Sequence, residues 1–237
     1  MDTREASQKL IVALDVDGYD PAAGLIERLS PHAGWFKVGS VLFTREGPRV
    51  CRLVKDSGAR LFLDLKFHDI PNTVRGAVAA AIDAGADMLT LHASGGEAMM
   101  RAAVDARGHA DPGGIIIVGV TVLTHLALED FHALFMSERS PEETVPALAR
   151  LAREAGLDGV VASAREVPAI RREAGTAFKI VTPGIRLPGD ADDDQTRVVT
   201  PRRAVADGAD YLVVGRAIVA APDPEEACRR ILENMIS

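Results

Sequence analysis

Four times in this 237-residue chain a helical pattern ends at a glycine, two residues pass, and an apolar strand-like run begins. The copies are Ser57-Gly58-Ala59-Arg60-Leu61, Ala84-Gly85-Ala86-Asp87-Met88, Ala155-Gly156-Leu157-Asp158-Gly159 and Asp207-Gly208-Ala209-Asp210-Tyr211. A glycine just past a helix end supplies the left-handed conformation that caps it. Repeated helix-to-strand returns of one kind restrict the chain to architectures in which strands and helices alternate.

Between these returns the sequence predicts strands near 9–16, 34–39, 60–66, 86–92, 114–122, 158–163, 177–182 and 210–215. Each is followed by a helical pattern. Over 71–84, for example, Val74, Val78 and Ile82 repeat every four residues and form one apolar stripe, with Pro71 as the first helical position. Strands alternating with helices imply a parallel sheet, and Val, Ile and Leu dominate the strands as a sheet covered by helices requires. Eight such units without a linker point to a single α/β domain over 1–237, a closed (β/α)8 TIM barrel. An open doubly wound sheet is the competing arrangement.

The apolar fraction of 47% is ample for a core. No apolar run reaches the roughly 18 residues of a membrane span, and Met1-Asp2-Thr3-Arg4-Glu5 does not open a signal peptide, so a soluble cytoplasmic protein is expected. Cys51 and Cys228 form no metal-type or redox-type pair and are expected as reduced thiols buried in helices. A net charge of −7 argues against nucleic-acid binding but permits an anionic ligand, because the field in a cleft can oppose the overall charge.

Charges at the strand ends break the apolar pattern. Side chains alternate across a strand, so Phe62, Asp64 and Lys66 share one face while Leu61, Leu63 and Leu65 share the other. Opposite charges on an apolar strand cost free energy unless something uses them. The same alternation groups Ile11, Ala13 and Asp15 on the first strand and Trp35, Lys37 and Gly39 on the second. Asp15, Lys37, Asp64 and Lys66 are then expected inward at the C-terminal rim, where barrel enzymes carry their sites. Asp69 extends the series to Asp-x-Lys-x-x-Asp. Flanking carboxylates favour the ammonium form of Lys66, which suits a proton donor better than an amine nucleophile. No His joins the carboxylates at metal-ligand spacing, so no metal is expected; His68 and His92 read as structural.

Two connections are long. Residues 126–141 contain a short helical pattern around 128–135. Residues 183–200 are polar and carry Gly184, Gly189 and an acidic run, Asp190, Asp192, Asp193 and Asp194, read as a solvated turn. A connection of that length in a compact domain suits a lid or binding loop. After the eighth strand, Val213-Val214-Gly215-Arg216-Ala217 places a glycine and an arginine where barrels often bind phosphate.

These residues resemble the orotidine 5′-phosphate decarboxylase family. Asp64-Leu65-Lys66-Phe67-His68-Asp69-Ile70-Pro71-Asn72-Thr73 is similar to its signature. The likeness continues through Ala13-Leu14-Asp15, Phe36-Lys37-Val38-Gly39, Thr121-Val122-Leu123-Thr124, Thr182-Pro183-Gly184-Ile185-Arg186, Asp194-Gln195 and Val214-Gly215-Arg216. The resemblance implies decarboxylation of orotidine 5′-monophosphate to uridine 5′-monophosphate, without metal or organic cofactor, by a homodimer. It implies a catalytic array of Lys37, Asp64 and Lys66, with Asp69 from the other subunit. Asp64 would lie against the substrate carboxylate and Lys66 would protonate C6. Asp15 and Lys37 would hold the ribose hydroxyls with Thr73 of the partner chain. Thr124 and Ser163 would lie near the base or ribose, and Ile70 and Pro183 would also touch substrate. Gln195, Arg186, Gly215 and Arg216 would close on phosphate. His125, after Thr124, departs from the small polar residue expected there.

Two other readings fit parts of the pattern. A magnesium-dependent sugar-phosphate lyase of the same superfamily would share Asp-x-Lys-x-x-Asp but needs a further acidic ligand near the second or third strand end. Glu46 is the nearest carboxylate and sits well into the following segment. A non-catalytic phosphate-binding barrel would leave Asp64 and Lys66 without a purpose.

Overall fold

The computed structural model describes residues 1–108, 114–187 and 199–237. Its strands are β1 (Leu10–Ala13), β2 (Trp35–Gly39), β3 (Arg60–Phe67), β4 (Met88–His92), β5 (Ile116–Val120), β6 (Gly159–Val161), β7 (Lys179–Thr182) and β8 (Tyr211–Val214). Each is parallel to the next, and β8 pairs back onto β1, so the sheet closes as the expected (β/α)8 barrel and has no open edge. The four return glycines take the left-handed backbone their positions require, with φ of 80° at Gly58, 86° at Gly85, 90° at Gly156 and 103° at Gly208.

Strand alternation divides the core into two layers. Ile11, Ala13, Trp35, Phe62, Met88, Val118, Val181 and Val213 fill the barrel interior. The intervening residues, among them Leu10, Val12, Phe36, Val38, Leu61, Leu63, Leu89 and Leu91, face outward and are covered by the helices. Burying a side chain of this size contributes about 1.5–3 kcal/mol. Both faces of every strand thus oppose solvent entry.

The helices differ in detail from the sequence expectation. In Pro71–Asp83 the buried stripe is Val74, Val78 and Ala81, with Ile82 half-buried. A helix turns every 3.6 residues, so the face drifts from a strict four-residue repeat. The connection from β2 to β3 holds two helices, Ser40–Glu46 and Arg49–Asp56, separated at Gly47 (φ 61°) and Pro48. A helix also precedes β1, at Thr3–Lys9, and accepts the Trp35 indole N–H on the Gln8 carbonyl at 3.1 Å. The expected helix in the 126–141 connection is Leu128–Phe135. Cys51 and Cys228 are buried and unpaired, and burial pushes their thiols up to about 11 and about 12, which leaves them inert packing groups.

Three of the four returns carry aspartate two residues after the glycine, and each aspartate performs one task. Asp87 Oδ2 accepts the Leu61 N–H of β3 at 2.7 Å, Asp158 Oδ2 the Ile117 N–H of β5 at 2.8 Å, and Asp210 Oδ2 the Ile180 N–H of β7 at 2.7 Å. The same carboxylates pair with Lys55, Arg107 and Arg171, each on the helix that leads into the strand being held. The bolts lie at the N-terminal end of the barrel and tie strands three to eight into pairs. The fourth return has Arg60 in place of aspartate, and its guanidinium lies over the Trp35 ring, 5.2 Å from the centroid.

Replacing Asp158 by alanine would leave the Ile117 N–H and Arg107 without this partner. We predict a loss of about 1–3 kcal/mol of stability, the usual cost of a buried donor left unsatisfied. Urea unfolding should show a lower midpoint at constant slope; an unchanged midpoint would reject the bolt as a stabilising element.

Candidate active site

At the opposite, C-terminal end the inward parity of β1, β2 and β3 brings four charges together. Lys37, on β2, is buried, and its Nζ lies 3.1 Å from Asp15 Oδ1 and 3.5 Å from Asp64 Oδ2. Asp64, on β3, is 8% exposed and receives the Lys66 ammonium on Oδ1 at 2.8 Å. The signs therefore alternate along Asp15, Lys37, Asp64 and Lys66. Asp15 lies just beyond the end of β1, whose ladder continues through a Leu14 N–H bond to the Lys37 carbonyl at 3.0 Å.

Burying a carboxylate is unfavourable unless its charge and lone pairs are met. Burial alone would raise the Asp64 pKa; the Lys37 and Lys66 charges, with hydrogen bonds from Lys66 and Thr90, outweigh it and hold the carboxyl below the ordinary aspartate range. Asp64 is thus an anion at neutral pH, fixed between two cations. Space for this arrangement depends on Gly39: a Cβ there would stand 2.9 Å from Lys37 Nζ and 3.4 Å from Asp15 Oδ1.

Lys66 reaches the array by a route that simple alternation does not describe. Leu63 pairs with Leu89 and Phe67 with Leu91, so β3 has two more residues than β4 between the same rungs. Within that bulge Lys66 has φ 52°, a conformation that is costly for a residue with a Cβ and concentrates at functional positions. Its backbone N–H donates to Thr90 Oγ1 at 2.8 Å, and the same hydroxyl donates to Asp64 Oδ1 at 2.9 Å. The strand residue expected from the sequence is in fact a bulge residue, turned toward the cavity by a distortion at the end of the sheet.

The charges form one side of a cavity of about 260 Å³. Phe62, Val120, Val122, Val161 and Val213 make an apolar wall, with Leu123 and Thr124 above it. Pro183, Gly184, Arg186, Gly215 and Arg216 make the far rim. Arg186 is buried and donates to the Ile185 carbonyl at 3.0 Å; Arg216 opens the short helix Arg216–Val219. A Cβ at Gly215 would meet Asp15 Oδ2 at 3.3 Å, a tight contact that would press on the carboxylate. The cavity thus sets arginines, an apolar wall and an alternating charge array around one space.

Asp15, Lys37, Asp64, Lys66, Thr124, Pro183, Arg186, Gly215 and Arg216 are therefore brought to one cavity. Asp69, Ile70 and Thr73 do not line it. Asp69 and Ile70 border a separate open groove with His68, Pro71 and Gly95, where Ile70 is 67% exposed. Ser163 is also off the cavity lining: its buried hydroxyl caps the 3₁₀ turn Ala164–Glu166, while its N–H donates to Glu166 Oε2 at 3.0 Å. A serine placed near a strand end by sequence is here claimed by the local cap. Gln195 and the acidic run at 190–194 lie outside the described residues. His125 is exposed and is not part of the lining.

Sequence reasoning missed Thr90 and gave His92 only a structural place. The signal was available, since alternation on β4 puts Met88, Thr90 and His92 on the inward face, as it does for the charged residues of β1 to β3. His92 lies 5.1 Å from His68 between ring centroids, and burial, then the His68 and Lys66 charges, lower its imidazole below the ordinary value. It is neutral at physiological pH.

Glu46 does not line the cavity; it accepts the Tyr19 N–H at 3.0 Å and pairs with Arg49. Among the described residues no group of three or more His, Cys, Asp or Glu is placed to hold a metal ion, and no helix is long and apolar enough to cross a membrane.

Comparison with known proteins places this geometry. The orotidine 5′-phosphate decarboxylase from Moorella thermoacetica is 53% identical over 230 residues, covering 95% of this chain and 91% of the relative. That from Syntrophotalea carbinolica is 49% identical over 235 residues, covering 98% and 96%. The crystal structure of orotidine 5′-phosphate decarboxylase from Lactobacillus acidophilus superposes with a TM-score of 0.84 at 34% identity, over 97% of this chain and all of that one. Residues 8–231 match the family as a whole, and the chain belongs to the orotidine 5′-phosphate decarboxylase / HUMPS family.

Proposed function

We propose that the protein decarboxylates orotidine 5′-monophosphate to uridine 5′-monophosphate and carbon dioxide, a step of pyrimidine nucleotide synthesis, with no cofactor. The observation that carries the mechanism is the Asp64 carboxylate held between the Lys37 and Lys66 ammonium groups on the wall of a cavity whose far rim carries Arg186 and Arg216. Family membership supplies the substrate class.

Breaking the bond between C6 and the carboxyl carbon leaves an electron pair in an sp² orbital of the ring. That charge is localised, so stabilisation must be preorganised at C6. The Lys66 ammonium meets it electrostatically and then gives its proton to C6, completing the product; solvent reprotonates the lysine after release. Asp64 faces the departing carboxylate. Repulsion there disfavours the bound substrate relative to the transition state, in which carbon dioxide has become neutral. Lys37 and Asp15 take the ribose hydroxyls, and Thr124 and Pro183 border the nucleoside. Phosphate is held by the Gly215 and Arg216 backbone with the Arg186 and Arg216 side chains, joined by Gln195 from the 183–200 connection. Binding energy gathered at phosphate, remote from C6, drives orientation and water exclusion. Ser163 lies off the cavity lining, although its hydroxyl proton is still available to a ligand.

The magnesium-dependent lyase reading lacks its extra ligand, Glu46 being committed to Tyr19 and Arg49. Carbon dioxide release from orotidine 5′-monophosphate should persist in EDTA. In Lys66→Ala it should fall at least about 10²–10⁴-fold, the contribution of a positioned proton donor. Equal rates in wild type and variant would reject the role of Lys66, and loss of wild-type activity in EDTA would restore the lyase reading.

The working unit we propose is a homodimer. Asp69 and Ile70 border the open groove, Thr73 is exposed on the helix that follows, and none of the three lines the cavity of its own chain, which suits residues that complete the site of a second copy. Mixing Lys66→Ala subunits with Asp69→Ala subunits should recover part of the activity, because one of the two composite sites in a mixed dimer retains both residues. No recovery after subunit exchange has been verified would count against sharing.

A further inference from the structure

The Thr90 hydroxyl is fully buried on the inward face of β4, inside the closed barrel and directly beside the charge array. Its position is unusual. The β3–β4 ladder pairs Leu63 with Leu89 and resumes only at Phe67 with Leu91, so Thr90 sits opposite the stretch in which regular pairing has lapsed. In place of a ladder carbonyl, the Lys66 N–H finds Thr90 Oγ1 at 2.8 Å. The hydroxyl proton is directed at Asp64 Oδ1, 2.9 Å away, the oxygen that also receives the Lys66 ammonium at 2.8 Å.

One oxygen therefore accepts from the backbone of Lys66 and donates to the carboxylate that holds the Lys66 side chain. Only a hydroxyl can do both at a single atom of this size: an aliphatic side chain offers neither function, and an amide divides them between two atoms. The closed ring of contacts runs Thr90, Lys66 backbone, Lys66 ammonium, Asp64 and back to Thr90. It fixes a lysine whose backbone is left-handed, with φ 52°, and so has little tendency of its own to stay there.

We propose that Thr90 is a positioning residue for the reaction, setting the backbone turn at Lys66 and the carboxylate orientation of Asp64 so that both charges face the reacting carbon. The inference rests on the decarboxylase reading for its kinetic consequence, but its geometric content stands apart. Thr90 does not line the cavity, and β4 stands across the barrel from β8, whose end carries Gly215 and Arg216, so its loss should act on the chemical step and leave nucleotide affinity in place.

The test compares Thr90→Val, which keeps the shape and removes the hydroxyl, with Thr90→Ser, which keeps the hydroxyl and removes the methyl. Thr90→Ala serves in place of the valine variant if that protein does not fold, as judged by thermal unfolding. Three readouts are taken on each: kcat for carbon dioxide release, the Kd for uridine 5′-monophosphate, and hydrogen exchange at the Lys66 amide. Without the hydroxyl, kcat should fall about 10–100-fold, the scale on which an ångström of misplacement acts. Product affinity should stay within about twofold, and the Lys66 amide should exchange at least about tenfold faster, consistent with loss of its acceptor. The serine variant should return all three close to wild type. Wild-type kcat in the valine or alanine variant would overturn the proposal, as would unchanged exchange at Lys66, equal loss of kcat and product affinity, or failure of serine to rescue. A wild-type protein that releases no carbon dioxide would instead defeat the decarboxylase reading, and the amide exchange would still decide whether Thr90 holds Lys66.

Discussion

A single buried carboxylate, Asp64, governs the arrangement of everything near it. It is almost wholly removed from water yet ionised, and the only way to sustain that is to surround it with donors. Lys37 approaches one oxygen, Lys66 and Thr90 the other. Each donor comes from a different strand or from a distortion of one, so the barrel must close with β2, β3 and β4 in fixed register for the anion to be tolerated. Removing either lysine would leave an uncompensated charge in the barrel mouth, which is why the array behaves as a unit. Set among these donors the anion is favoured by folding, as its lowered pKa records, and the cost the site carries is the left-handed backbone at Lys66.

The two ends of the barrel divide stability from function. At the N-terminal end, Asp87, Asp158 and Asp210 each hold the start of a neighbouring strand and a cation from the preceding helix. These carboxylates are satisfied by a backbone N–H and a helix cation together and do not line the cavity. At the C-terminal end, the carboxylates of Asp15 and Asp64 are satisfied by lysine side chains alone or with a hydroxyl, and those can be redirected toward a ligand. The same residue type serves as a bolt where a sheet N–H is among its partners and as part of a reactive array where its charged partners are lysines that line the cavity.

Much of this was legible in the sequence because the governing constraints are local. The return glycines announced themselves by their spacing, and their positive φ angles follow from helix termination alone. Strand parity placed Asp15, Lys37 and Asp64 on the axis side before any coordinates, since alternation needs no knowledge of the neighbours. What escaped depended on partners distant in the chain. The bulge at Lys66 arises from a mismatch between β3 and β4, which neither strand shows by itself. Thr90 is a neutral residue in an apolar strand and becomes informative only beside Asp64. Ser163 was expected at the cavity from its place near a strand end, and it stands in a capping turn with Glu166 off the lining. Asp69, Ile70 and Thr73 lie outside the cavity of their own chain, a placement beyond the reach of strand parity, which ends with β3.

The central claim is that Asp64 remains charged because two cations and a hydroxyl face it, and the direct measurement is the carbon-13 shift of its side-chain carboxyl as a function of pH. A depressed folded-state pKa means that ionisation of Asp64 adds stability above the unfolded value of about 3.9 and that this contribution is lost as pH falls through the folded value. The midpoint of the shift should therefore fall below the ordinary value of about 3.9. Titration at or above the ordinary aspartate value would contradict the account, since an Asp64 that accepts a proton so readily is not gripped by Lys37 and Lys66.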